Sequence, residues 1–106
     1  EAKNSCVLLA RNLEGKDILT IEGVSQEGNL HPVQQAFVDA GAIQCGFCTP
    51  GMVMTTIALL RKNPDPSEEE ILQALEGNLC RCTGYKKIVE AAQLAARRLR
   101  EEGKTA

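Results

Sequence analysis

Tryptophan is absent from the 106 residues, and Phe37, Phe47 and Tyr85 are the only aromatic side chains. So few rings cannot build the stacking platforms on which single-stranded nucleic acids are held. A basic surplus is missing as well. Twelve lysines and arginines face fourteen acidic residues, for a net charge of −2, whereas counterion-release binding to a phosphate backbone needs positive excess. Nucleic acid is therefore not expected as a partner. Long apolar runs are also lacking: Gly51 to Leu60 is about half a bilayer crossing and contains Thr55 and Thr56, so no membrane span is expected. No secretory leader opens the chain, which points to the cytoplasm. An initiating Met is missing too, and the expectation is that leading residues were removed or left out. The apolar share of 43% and charged share of 25% are those of a folded globular chain of one domain or a little more.

What the chain has in excess is cysteine. Five are present, Cys6, Cys45, Cys48, Cys80 and Cys82, and an odd number cannot pair completely within one chain. In a reducing compartment, clustered cysteines are more often metal ligands or redox groups than disulfides. One stands alone here and four form two close pairs.

Residues 1–30 differ from the rest. Ser5 to Asn12 suggests one or two helical turns, broken at Gly15. Ile18 to Ile21 has strand-like composition, with Gly23 and Gly28 in loop-like surroundings. A lone strand leaves its backbone groups unpaired, so partner strands are expected to precede residue 1. Residues 31–104 read as four helices. The first starts near Pro32, carries Val33, Ala36, Phe37 and Ala40 at helical spacing, and stops at Gly41. The second runs from about Pro50 to Lys62 with Thr49 as its cap, and the Asn63-Pro64-Asp65-Pro66 run ends it. The third opens with a capping box of Ser67 and Glu70, carries Ile71, Leu72 and Leu75, and stops at Gly77. The fourth starts after Thr83, runs to about Glu102, and buries Ile88, Ala92, Ala95 and Leu99.

An internal repeat organises these helices. A shift of 34 residues lays Cys48-Thr49 on Cys82-Thr83, Phe37, Val38 and Ala40 on Ile71, Leu72 and Ala74, and Ile57, Ala58 and Leu60 on Ala91, Ala92 and Leu94. Each half is a helix, a glycine stop, a cysteine pair, a threonine and a second helix. Two such hairpins packed face to face form an all-α four-helix bundle of approximate two-fold symmetry. Symmetry brings the two connecting turns, and hence four sulfurs, to one end of the bundle. The helix starts beside them favour negative charge, and Arg81, Lys86 and Lys87 can add to that field, although solvated surface is the plainer role for all three.

Three occupants of such a site compete. Disulfides are disfavoured, because a CxC pair has too little backbone for an easy bridge. Zinc accepts four cysteines but is usually held by CxxC knuckles in both halves. A two-iron cluster also takes four thiolates and, being wider than one zinc ion, suits two separate loops gripping one iron each. Spacing favours the cluster modestly and leaves zinc open.

The segments QCGFCTPGM (Gln44 to Met52) and GNLCRCTGY (Gly77 to Tyr85), with HPVQQAF at His31 to Phe37 and NSC at Asn4 to Cys6, resemble the [2Fe–2S] subunit of the molybdenum hydroxylases, the family of xanthine dehydrogenase, aldehyde oxidoreductase and aerobic carbon monoxide dehydrogenase. The likeness covers essentially the whole chain. It implies a C-terminal helical domain, here residues 31–106, whose Cys45, Cys48, Cys80 and Cys82 bind one [2Fe–2S] cluster. Gln44 and Cys82 would also lie against a molybdopterin held by the large partner subunit. Residues 1–30 would be the end of a ferredoxin-like β-grasp domain plus linker, with Cys6 the orphan ligand of its cluster. The other ligands of that cluster are expected before residue 1, which leaves Cys6 as a free thiol.

The function so implied is electron transfer from the molybdopterin centre towards a second [2Fe–2S] cluster and then a flavin, with FAD in a further partner subunit. The chain would be a component of an oxidoreductase and not catalytic on its own. A zinc-stabilised interaction module without redox role is the rival reading, and a CxxC thiol switch at Cys45 and Cys48 is a weaker third. Other features read plainly. His31 is a helix-start residue, Met52 and Met54 are core filler, Glu68 to Glu70 are first-turn charges complementing a helix dipole, and Arg97, Arg98 and Arg100 are a solvated helix end.

Overall fold

The computed structural model describes residues 2–25, 28–44, 46–79 and 85–103. Four α-helices dominate it: α1 (Pro32–Asp39), α2 (Thr49–Lys62), α3 (Glu68–Leu75) and α4 (Lys86–Glu102). Short 3₁₀ turns at Ser5–Val7, Ala10–Leu13 and Ile21–Gly23 precede them, and no β-strand occurs among the described residues. The expected strand at Ile18 to Ile21 does not form. Ile18 and Leu19 are exposed and Ile21 already begins a 3₁₀ turn, because extended backbone without a ladder partner gains nothing from staying straight.

Local chemistry sets the helix ends. The imidazole Nδ1 of His31 accepts the Val33 N–H at 3.1 Å, while Gln34 Oε1 accepts the His31 N–H at 2.9 Å, so His31 is the cap of α1 and Pro32 supplies its first position. At the other end Gly41 turns left-handed with φ 68°. Its N–H reaches Val38 O and that of Ala42 reaches Phe37 O, the Schellman pattern that satisfies terminal carbonyls. Ser67 and Glu70 make the reciprocal capping box of α3: Ser67 Oγ accepts the Glu70 N–H at 3.2 Å and Glu70 Oε1 accepts the Ser67 N–H at 3.0 Å. These bonds hold the Glu70 carboxyl below its ordinary value of 4.5. Asn63, extended before Pro64, closes α2. Gly103, left-handed at φ 68°, closes α4.

One expected cap is corrected. Thr49 is the first residue of α2; the capping position belongs to Cys48, whose backbone is already helical (φ −82°, ψ −14°) and whose side chain makes no capping bond. The equivalent Thr83 lies outside the described residues. Helix α4 instead follows Tyr85, held in the left-handed region at φ 71°.

The core is built from all four helices. It takes Val33, Ala36 and Phe37 from α1, Met52, Val53, Ile57 and Leu60 from α2, Ile71 and Leu75 from α3, and Ile88, Val89, Ala91, Ala92, Ala95, Ala96 and Leu99 from α4. Helix α1 packs most extensively on α4, and α2 on α3. Four buried alanines on α4 let a neighbour approach closely, and Phe37 brings bulk from the other side. Thr56, the buried polar side chain of the described core, is satisfied by donating to Met52 O at 2.8 Å.

Two devices fasten the periphery. Ile21 and Val24 pack onto the helical core, and Ser25 Oγ donates to Gln34 Oε1 at 2.7 Å, so residues 21–25 are attached to the helices. The arginines near the end of α4 do more than face solvent. Arg98 pairs with Asp39 of α1 at 2.7 Å, and Arg100 pairs with Asp65 in the turn after α2. Arg97 is exposed.

Candidate metal centre

The two cysteine motifs approach the fold through α2 and through the turn after α3. Cys48 stands at the cap of α2, half-buried and not in a disulfide. Cys45, Cys80 and Cys82, with Arg81, lie outside the described residues. Residues flanking the second motif are described. Asn78, which enters the second motif, is seated on α2: its Nδ2 donates to Thr55 Oγ1 at 2.8 Å. A Cβ at Gly51 would lie 2.6 Å from Asn78 Oδ1, so only a glycine leaves room for that seat. Tyr85, which leaves the second motif, returns to the same residue by donating its phenol to Asn78 O at 3.0 Å. The entrance and exit of the second motif are thus joined, and the entrance residue Asn78 stands on the first turns of α2.

The remaining expected site residues are placed as follows. Gln44 is exposed. Cys6 is an exposed thiol in the 3₁₀ turn Ser5–Val7 and is in no disulfide. His31 is engaged as a cap, Met52 is fully buried and Met54 packs against the core. Lys87 forms an exposed pair with Glu90, and Lys86 is exposed. Among the described residues no three His, Cys, Asp or Glu side chains gather as a metal site; three of the four paired cysteines are not among them. The thiol of Cys48 suits a thiolate-bound metal group.

Comparison with known proteins decides the family. The family described as a [2Fe–2S] binding domain matches residues 20–93. This chain belongs to that family. The [2Fe–2S] domain is 53% identical over 94 residues to the small FeS subunit of nicotinate dehydrogenase from Eubacterium barkeri, spanning 89% of this chain and 60% of that protein. It is 48% identical over 90 residues to the xanthine dehydrogenase of Emericella nidulans, spanning 85% of this chain and 7% of that one. Among solved structures it is similar to quinoline 2-oxidoreductase from Pseudomonas putida 86, with a TM-score of 0.83 and 44% identity over 92% of this chain and 61% of that one. The [2Fe–2S] domain therefore spans about three fifths of the nicotinate dehydrogenase subunit it matches. Among its described residues no helix is long and apolar enough to cross a membrane.

Several residues that shape this end escaped the sequence reading. Asn78, Thr55 and Tyr85 carry no metal-binding chemistry, so ligand spacing does not single them out. Gly51 left a usable signal, since a glycine inside a helical stretch marks a close approach of another group.

Proposed function

We propose that this chain is the electron-transfer iron–sulfur component of a molybdenum-dependent oxidoreductase, carrying electrons from a molybdopterin centre in a large partner subunit towards a second [2Fe–2S] cluster and a flavin or another acceptor. The seating of Asn78 on the first turns of α2 carries the reading. Cys48 begins that helix. Cys80 follows Asn78 by two residues, a length of chain that reaches about 7 Å at most. That reach from the Asn78 seat supports a second cysteine pair meeting the first at one end of the helices, as four thiolates sharing one centre require.

In this reading Cys45, Cys48, Cys80 and Cys82 are the cluster ligands, Gln44 and Cys82 face the molybdopterin, and Cys6 belongs to the ferredoxin-like cluster. Residues 1–30 are the end of that first domain and 31–106 the cluster-binding helices. A two-iron cluster, when bound, takes up and releases one electron at a time. The chain's own residues supply the setting. The Cys48 side chain does not cap the first N–H groups of α2, and the positive end of a helix dipole favours an anionic neighbour. Phe47 and Leu79, which directly precede Cys48 and Cys80, are 93% and 87% exposed. Large apolar side chains left in water beside both motifs fit a surface that a partner subunit covers.

Two hairpins related by a pseudo-two-fold axis accord with the packing. Exchanging α1 with α3 and α2 with α4 leaves the set of contacting helix pairs unchanged, and the repeat partners Phe37 and Ile71 are both buried while Val38 and Leu72 are both exposed. The test is metal and sulfide analysis of the anaerobically loaded chain, with a visible spectrum and EPR after reduction. About two irons and two sulfides per chain, a red-brown colour and a signal on reduction are expected. A colourless protein holding one zinc overturns the proposal.

A further inference from the structure

The contacts of Asn78 reach beyond ligand identity. Its side chain is bound to α2 at Thr55 (2.8 Å), its carbonyl is held by the Tyr85 hydroxyl (3.0 Å), and its N–H is fixed on Leu75 O at 2.9 Å. Three contacts thus fix the one residue that stands two positions before Cys80. Tyr85 adds a further sign that this arrangement is imposed. A bulky side chain in the left-handed region is disfavoured, yet Tyr85 holds φ 71° with its ring against the core and its phenol on Asn78. Gly51 keeps the space into which the Asn78 amide fits.

We propose that Asn78 is a positioning residue for the metal centre: through Thr55 and Tyr85 it locks the second cysteine loop against the helix that carries the first, and so sets the spacing at which the two thiolate pairs are presented. The inference rests on the cluster reading above. Without the lock, more of any fluctuation of one pair relative to the other falls on the metal–sulfur bonds. With it, the thiolates are held in one arrangement before and after an electron arrives, which keeps the reorganisation accompanying each transfer small.

The test uses the full chain loaded with iron and sulfide, in four forms: the parent, Thr55→Val, Thr55→Ser and Tyr85→Phe. Valine keeps the shape of threonine and removes the acceptor, whereas serine keeps the hydroxyl. Release of iron to a chelator is expected to be about two- to tenfold faster in Thr55→Val and Tyr85→Phe, the range that one lost hydrogen bond implies. Their reduced-state EPR lines should broaden, and Thr55→Ser should match the parent in both measurements. Variants that unfold at lower denaturant but keep the parent's release rate and EPR line shape would show that Asn78 merely stabilises the fold, and would overturn the inference. A parent that binds no iron and sulfide would sink the cluster reading itself, and is recognised before any variant is compared.

Discussion

Gly51 and Asn78 approach so closely that a single added carbon at position 51 would stand 2.6 Å from the Asn78 amide oxygen. Two opposed effects follow for Gly51→Ala. Alanine in a helix is favoured over glycine by up to about 1 kcal/mol. The new methyl displaces the Asn78 side chain and loses its bond to Thr55, worth about 0.5–1.5 kcal/mol. The expected outcome is near cancellation, with a urea unfolding free energy within about 1 kcal/mol of the parent. A clear gain in stability, of the full alanine advantage, would show that the Asn78 contact contributes nothing.

A cluster that joins two loops is also a cross-link. Cys45→Ser and Cys80→Ser should each abolish the visible colour and lower the stability of the loaded helical unit by more than about 2 kcal/mol, the scale of a lost staple in a small domain. Denaturant unfolding under anaerobic conditions, followed by helical circular dichroism, measures the difference. An unfolding midpoint equal to that of the parent would separate cluster binding from folding.

His31 makes stability fall in mild acid. Burial, chiefly, and the nearby charge of Arg61 hold its pKa below the ordinary 6.5. The neutral ring is the form that accepts the Val33 N–H. The folded state therefore binds fewer protons than the unfolded one, so this contribution is complete above pH 6.5 and is lost as pH falls through the lowered value. Glu70 and Asp39 are also lowered, from 4.5 and 3.8, by their hydrogen bonds to Ser67 and to Gln35 and Arg98, and their contributions are lost only at more acid pH. His31→Asn, which caps without titrating, should flatten the loss that sets in below pH 6.5. An unaltered pH profile in that variant would assign the loss to other groups.

Phe37 is 1% exposed and lies in α1, whose main neighbour is the alanine-lined α4. Small side chains opposite cannot close the gap that its ring would leave. Phe37→Ala should cost about 3–5 kcal/mol, a large part of the roughly 5–15 kcal/mol that holds a typical domain together. Thermal unfolding checks this, and a shift of only a few degrees would mean that the core relaxes around position 37.

Much of this was readable along the chain. The four helices, the Ser67–Glu70 box, the stop at Gly41 and the buried stripe of α4 all depend on residues within four positions of one another, where periodicity and capping rules act. The Thr49 cap was misplaced by one residue, because threonine favours a cap but the backbone at Cys48 had already turned helical. The strand expected at Ile18 failed for a different reason: strand propensity is a statement about packing on a neighbour, and among the described residues none is there.

The amino-acid order alone determined the helices, the paired thiols and the family to which they belong, since each is written in short-range spacing. Tertiary structure decided what lies between the motifs: that Asn78 rests on Thr55 across 23 residues, that Tyr85 is bent back onto it, and that Arg98 finds Asp39 across 59. Such pairings depend on how helices cross in space, and no local rule of spacing carries that information.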